Sequence, residues 1–171
     1  IKMIYNILLI GYRESGKTTY INRLSTGEFN PHYTPTTSNI YNVLDFNTKN
    51  GIIKFNVIET HDYDNNITNI DGVILMYDCN FKVNNTYINY YLNKYKNLPV
   101  IVCGNKIDLG GEKYYYEERL YNNYNVIISS KSNYHFEKPF LYLARHLTKD
   151  LNLEFIAMEA IEPPVVEYVE E

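Results

Sequence analysis

The stretch GYRESGKTTY, Gly11 to Tyr20, decides the fold. Gly11, Gly16, Lys17 and Thr18 satisfy G-x-x-x-x-G-K-[ST], a pattern whose backbone amides wrap phosphates at the N-terminus of a helix. In that chemistry Lys17 reaches the outer phosphates and the Thr18 hydroxyl binds Mg2+. Arg13, Glu14 and Ser15 lie inside the same expected nucleotide contact, and Thr19 follows it. Arg13 and Glu14 place a bulky cation and an anion within the loop. A carboxylate about 5 Å from a phosphate charge costs ~3 kcal/mol at an effective dielectric of about 20, but under about 1 kcal/mol if it points into water. Any residue supplies a backbone amide, so binding is expected to survive. A large side chain at Arg13 is expected to project toward the terminal phosphate, where an attacking water would sit.

Outward from this loop, short apolar runs alternate with longer amphipathic stretches, the pattern of a mostly parallel sheet covered by helices on both faces. IYNILLI (Ile4 to Ile10) reads as a buried strand, and TTYINRL (Thr18 to Leu24) begins a helix directly after the loop. YNVLDF and IIKFNVI flank Asn47 to Gly51, whose Asn-Gly end signals a hairpin, so this pair is expected to be antiparallel at one edge. Gly72 to Asp78, Pro99 to Asn105 and Asn125 to Ser129 complete six strands, and Phe136 to Leu147 forms the last helix. Tyr87, Tyr91 and Tyr95 fall at helical spacing, and a helix face resting on the sheet is the preferred reading over a partner surface. YYYEERLYNNYN (Tyr114 to Asn125) reads as a poor helix followed by loop.

The chain has 171 residues, 45% hydrophobic and 21% charged, enough for one domain with a core of its own. Residues 151–171 hold six Glu and no Lys or Arg, which leaves residues 1–150 with 16 basic and 14 acidic groups. The expected organisation is a domain over 1–150 and an acidic segment over 151–171. A nearly neutral body carries no stripe of the kind that binds nucleic acid, and no apolar run has the length of a membrane span. Cys79 and Cys103 lie in or beside apolar runs and read as small core residues. No signal peptide, transit peptide or prenylation box is recognisable, so no membrane anchor is expected. His32, His135 and His146 show no metal-ligand spacing.

GNKIDL (Gly104 to Leu109) follows a parallel strand at its carboxyl end, where such sheets bind ligands. The Asp108 carboxylate is able to accept two hydrogens from guanine that adenine does not supply, while Asn105 contacts the opposite edge. A site built on such bonds rejects the analogue that leaves them unpaired.

With both motifs in place the chain resembles the Ras-type small GTPases, and within them the Ran, or nuclear-transport, branch. The likeness is strongest at VIVCGNKIDL and at the run from Ser129 to Pro164. It implies a P-loop NTPase G domain that holds GTP or GDP with Mg2+. It further implies a monomer acting in cytoplasm and nucleus through Ran-type regulators and transport receptors. Ser129, Ser130 and Lys131 match the loop that supports guanine, Lys106 lies along the base, and Phe29 matches the aromatic stacking on it. Tyr33 and Thr36 match the first switch, Thr36 being the expected second Mg2+ ligand and, with Lys17, part of the catalytic set. Thr37 takes that role if the register differs by one.

The second switch departs from the pattern. The family's D-T-A-G-Q is replaced by Glu59, Thr60, His61, Asp62 and Tyr63, so the Gln that orients water is missing. Hydrolysis is therefore expected to be weak or lost, with His61 as a candidate substitute for orienting water. LYNNYNVII stands where the Ran branch carries its lysine-rich patch, which puts receptor binding in doubt. Two rival functions remain: a pseudo-GTPase that meets its partners whatever the nucleotide, and a nucleotide kinase, which leaves Asn105 and Asp108 without a task.

Overall fold

The computed structural model describes residues 3–26, 39–60 and 67–156. Nine elements follow in chain order: β1 (Ile4–Gly11), α1 (Lys17–Thr26), β2 (Ile40–Thr48), β3 (Gly51–Glu59), β4 (Gly72–Asp78), α2 (Asn85–Lys94), β5 (Val100–Asn105), β6 (Tyr124–Ile127) and α3 (Lys138–Thr148). The strands form one six-stranded sheet in the order β2-β3-β1-β4-β5-β6. β2 and β3 pair antiparallel with Thr48 opposite Gly51, as the hairpin signal predicts, and every other pairing is parallel.

β1, β4 and β5 are buried nearly throughout because helices cover both of their faces, whereas β2 alternates between buried and exposed positions as an edge strand does. α1 and α3 seal one face with Ile21, Leu24, Phe140 and Leu143 against Ile7, Leu9, Phe46, Phe55 and Ile101. α2 seals the other with Ile88, Tyr91 and Leu92 against Leu8, Val73, Leu75 and Val102. Both cysteines are buried and free, Cys103 on the α1/α3 face and Cys79 on the α2 face.

Local signals set the helix ends. The Asn84 side chain accepts from the Tyr87 amide at 3.1 Å and caps α2. α3 has Pro139 in its first turn and ends at Lys149 in the left-handed region, φ 56°. Among the described residues no helix is long and apolar enough to cross a membrane.

Residues 114–123 form no helix, which corrects the expectation of a poor helix there. Side chains take the backbone groups that a helix would use. Asn123 and Asn125 both donate to the Glu118 carbonyl at 3.0 Å, and the Tyr121 amide donates to Asn123 Oδ1 at 3.4 Å. The Tyr114 amide is drawn to the Cys79 carbonyl at 2.7 Å and the Tyr116 amide to the Tyr77 hydroxyl at 3.0 Å. The strand expected over 125–129 runs instead over Tyr124–Ile127, and Ser129 makes an isolated bridge to Tyr134.

Candidate nucleotide site

The carboxyl ends of β3, β1, β4 and β5 bring Glu59, Gly11, Asp78 and Asn105 to one edge of the sheet. β1 lies between β3 and β4, and the chain leaves it first toward one side and later toward the other. The loop after β1 therefore occupies the switch point at which such sheets bind ligands.

Two glycines in the loop have no tolerated replacement. Gly11 has φ 143°, and a Cβ there would lie 2.0 Å from the Met76 carbonyl oxygen. Gly16 has φ 94°, and its Cβ would lie 2.6 Å from Asn105 Nδ2. Between them Arg13 and Glu14 are exposed, Glu14 with φ 63°. That exposure selects the smaller of the two electrostatic costs weighed for a carboxylate in this loop.

The loop curls around its own lysine. Lys17 Nζ donates to the carbonyls of Gly11 at 2.9 Å and Tyr12 at 2.7 Å. The Ser15 hydroxyl donates to the same Tyr12 carbonyl at 2.7 Å, and the Ser15 amide donates to it at 3.3 Å. Thr19 lies half-buried in the first turn of α1.

A second layer ties the loop to the segment after β5. Asn105 is 1% exposed. Its amide donates to the Ser15 carbonyl at 3.0 Å, while its Oδ1 accepts from the Lys106 amide at 2.8 Å and from the Ser130 amide and hydroxyl at 3.3 Å. One side chain thus joins three stretches distant in sequence. Cys79 supports it from behind by donating to the Asn105 carbonyl at 3.0 Å, with burial pushing the thiol pKa up and keeping it neutral. Lys106 Nζ donates to the Glu14 carbonyl at 2.5 Å and lies 3.4 Å from Asp78 Oδ2. Ser129, fully buried, donates to Asp108 Oδ1 at 2.6 Å and so orients an exposed carboxylate. Lys131 is exposed on the turn that follows.

At the other end of the loop the Thr18 hydroxyl donates to a carboxylate oxygen of Glu59, which is 1% exposed. A hydroxyl and a carboxylate are the hard oxygen donors that suit Mg2+. Among the described residues no cluster of three His, Cys, Asp or Glu is placed to hold a metal. A divalent ion here would thus draw on Thr18, on Glu59 directly or through water, and on the phosphates themselves.

Phe29, Tyr33, Thr36, Thr37, His32 and His61 lie outside the described residues. Two residues of the assembled edge carry no signal in a motif. Asp78 is recoverable by asking which residue ends β4 level with Asn105, its partner in the register. Tyr12, whose carbonyl receives Lys17, occupies a position that any residue type satisfies.

The fold and this edge define an α/β domain organised around a phosphate-binding loop. Against known families, residues 6–149 match the Ras family, and the chain belongs to it. It is a Ras-superfamily small GTPase domain, and members of the family bind GTP or GDP with Mg2+.

Proposed function

We propose that this chain is a guanine-nucleotide switch of the Ran-like kind whose own hydrolysis of GTP is weak or lost. The observation that carries the guanine part is the Asn105 network, which fixes the phosphate loop and the Ser129–Ser130 turn in one frame while Ser129 aims Asp108. In this reading Lys17, placed by the carbonyls of Gly11 and Tyr12, meets the outer phosphates. Arg13, Glu14, Ser15, Gly16, Thr18 and Thr19 line the phosphates through their backbone amides at the start of α1. Lys106 lies along the base, Asp108 accepts its hydrogens, and Ser129, Ser130 and Lys131 close the far side, with Phe29 and Tyr33 completing the pocket.

Mg2+, when bound, neutralises phosphate charge. Thr18 and Thr36 would hold it, with Glu59 in the place of the family's Asp. The Thr18 hydroxyl donates its hydrogen to the Glu59 carboxylate, an orientation that would leave its oxygen lone pairs to the ion.

The hydrolytic half rests on sequence. Glu59, Thr60, His61, Asp62 and Tyr63 supply no Gln to orient water, so the GTP form is long-lived unless His61 takes that task. Such a switch acts inside the cell through protein partners. The Ran-type tail residues favour transport regulators, and LYNNYNVII in the place of the basic patch argues against receptor binding through that surface. The domain is proposed over 1–150 with 151–171 as its acidic switch segment, near whose start Leu153 and Phe155 pack onto the α1/α3 core.

Equilibrium binding of fluorescent GDP and ADP to the wild type and to Asp108→Asn tests the guanine reading. GDP is expected to bind, ADP not to compete, and Asp108→Asn to weaken GDP by about 10- to 100-fold. Equal binding of ADP and GDP overturns it.

A further inference from the structure

We infer that Tyr12 and Tyr87 form a positioning pair that sets how firmly the phosphate loop holds its nucleotide, so that α2 controls nucleotide lifetime from outside the site. The inference rests on the nucleotide-binding reading above.

Tyr12 is the backbone hub of the loop. Its amide donates to the Met76 carbonyl at 3.3 Å, and its carbonyl accepts from Lys17 Nζ, the Ser15 hydroxyl and the Ser15 amide. Wherever this peptide unit sits, the landing place of Lys17 moves with it. The Tyr12 ring stacks on Tyr87 with centroids 4.1 Å apart and planes at 28°. Tyr87 in turn meets Tyr91 edge-on at 5.1 Å, and Tyr91 stacks on Tyr95 at 6.5 Å. A ladder of four rings thus runs from the loop along the inner face of α2.

The neighbourhood makes that contact matter. A cleft of about 300 Å³ opens between residues 12–14 and residues 77–84, lined among others by Tyr12, Glu14, Phe81 and Asn84. The loop is therefore not packed continuously against the chain that leads into α2. On the base side it is tied by Lys106 to the Glu14 carbonyl and by Asn105 to the Ser15 carbonyl. On the α2 side the ring stack spans the gap. The Lys17 ammonium has three donors, and those given to the carbonyls of Gly11 and Tyr12 set where it stands. By holding the Tyr12 peptide unit from the α2 side, the stack holds Lys17 where it would meet the phosphates. Stacking needs the ring and not the hydroxyl, so phenylalanine should serve equally well.

The test is the dissociation rate of fluorescent GDP from the full chain, read beside thermal stability. Tyr12→Ala and Tyr87→Ala are each expected to speed release about two- to tenfold. The double variant should be no faster than the faster single one, because the two rings act as one contact. Tyr12→Phe and Tyr87→Phe should release at the wild-type rate. Tyr95→Ala, on the same ladder but remote from the loop, should lower stability and leave release unchanged. Unchanged release in Tyr12→Ala and Tyr87→Ala overturns the inference, as does faster release in Tyr95→Ala that tracks its loss of stability. If the wild type binds neither GDP nor GTP, the nucleotide reading itself falls, an outcome distinct from both.

Discussion

On the α1/α3 face, Phe46 stacks on Phe155 at 4.4 Å and on Phe140 at 5.5 Å, and Phe55 leans on Phe140 at 5.2 Å. On the α2 face the rings are tyrosines, and their hydroxyls are put to use: Tyr77 receives the Tyr116 amide, and Tyr116 donates to Asn89 at 2.7 Å. The phenylalanine face is held chiefly by shape and by exclusion of water, with one ring hydroxyl, that of Tyr20, donating to the Phe136 carbonyl at 2.5 Å. The tyrosine face adds directional bonds, which let an irregular segment, residues 106–123, close the sheet where a helix would otherwise rest. It also reaches the phosphate loop through Tyr12. One face chiefly supplies stability, and the other joins stability to the site.

The largest effect that sharpens this contrast is Phe140→Ala. Phe140 is fully buried among three other rings, so denaturant unfolding should show a loss of about 3–5 kcal/mol. Nucleotide release from the molecules that remain folded should stay as in the wild type. A release rate that rises with the instability would erase the division between the faces.

Asn105→Ala comes next. It removes the donor to Ser15 and the acceptor for Ser130 and Lys106, and leaves buried groups unpaired at about 1–3 kcal/mol. Chemical denaturation should report that loss, and GDP affinity should fall with it. A stable variant with normal affinity would mean that the three segments hold their frame without this side chain.

Tyr116→Phe deletes a single hydroxyl, the one that reaches Asn89. The expected loss is about 0.5–1.5 kcal/mol in urea unfolding, and a neutral result would mean that the bond to Asn89 adds nothing to the packing of the ring. The smallest effect at neutral pH is the titration of buried groups. Burial raises Cys103 and Tyr20 on one face and Tyr77 on the other above their ordinary values. Folded pKa values above the unfolded ones mean that the stabilisation is complete below the unfolded pKa and is lost as pH rises past it. Thermal melts should therefore hold level to about pH 9, the ordinary value of the thiol, and then fall.

The strands, the hairpin and the loop were legible because each announces itself within a few residues: an apolar run, an Asn-Gly turn, two glycines with a lysine. The tyrosine spacing over 87–95 likewise told which side of α2 faces inward. Residues 114–123 were not legible, since their fate depends on Tyr77 and Cys79 far away in sequence competing for backbone groups that local propensity assigns to a helix. Arg23 shows the same limit from the other side. Its charge suggests a solvent position on α1, yet it is fully buried, with Nε donating to Asn133 at 2.9 Å, and burial lowers its pKa. The function of Tyr12 was hidden because its backbone does the bonding and its ring finds a partner 75 residues on, at Tyr87.

The most direct test of a switch that holds nucleotide without cutting it is single-turnover release of phosphate from the full chain loaded with γ-labelled GTP and Mg2+. GTP should load and stay whole while a family member with an intact D-T-A-G-Q releases its phosphate. Phosphate released from this chain at that same rate would contradict such a switch.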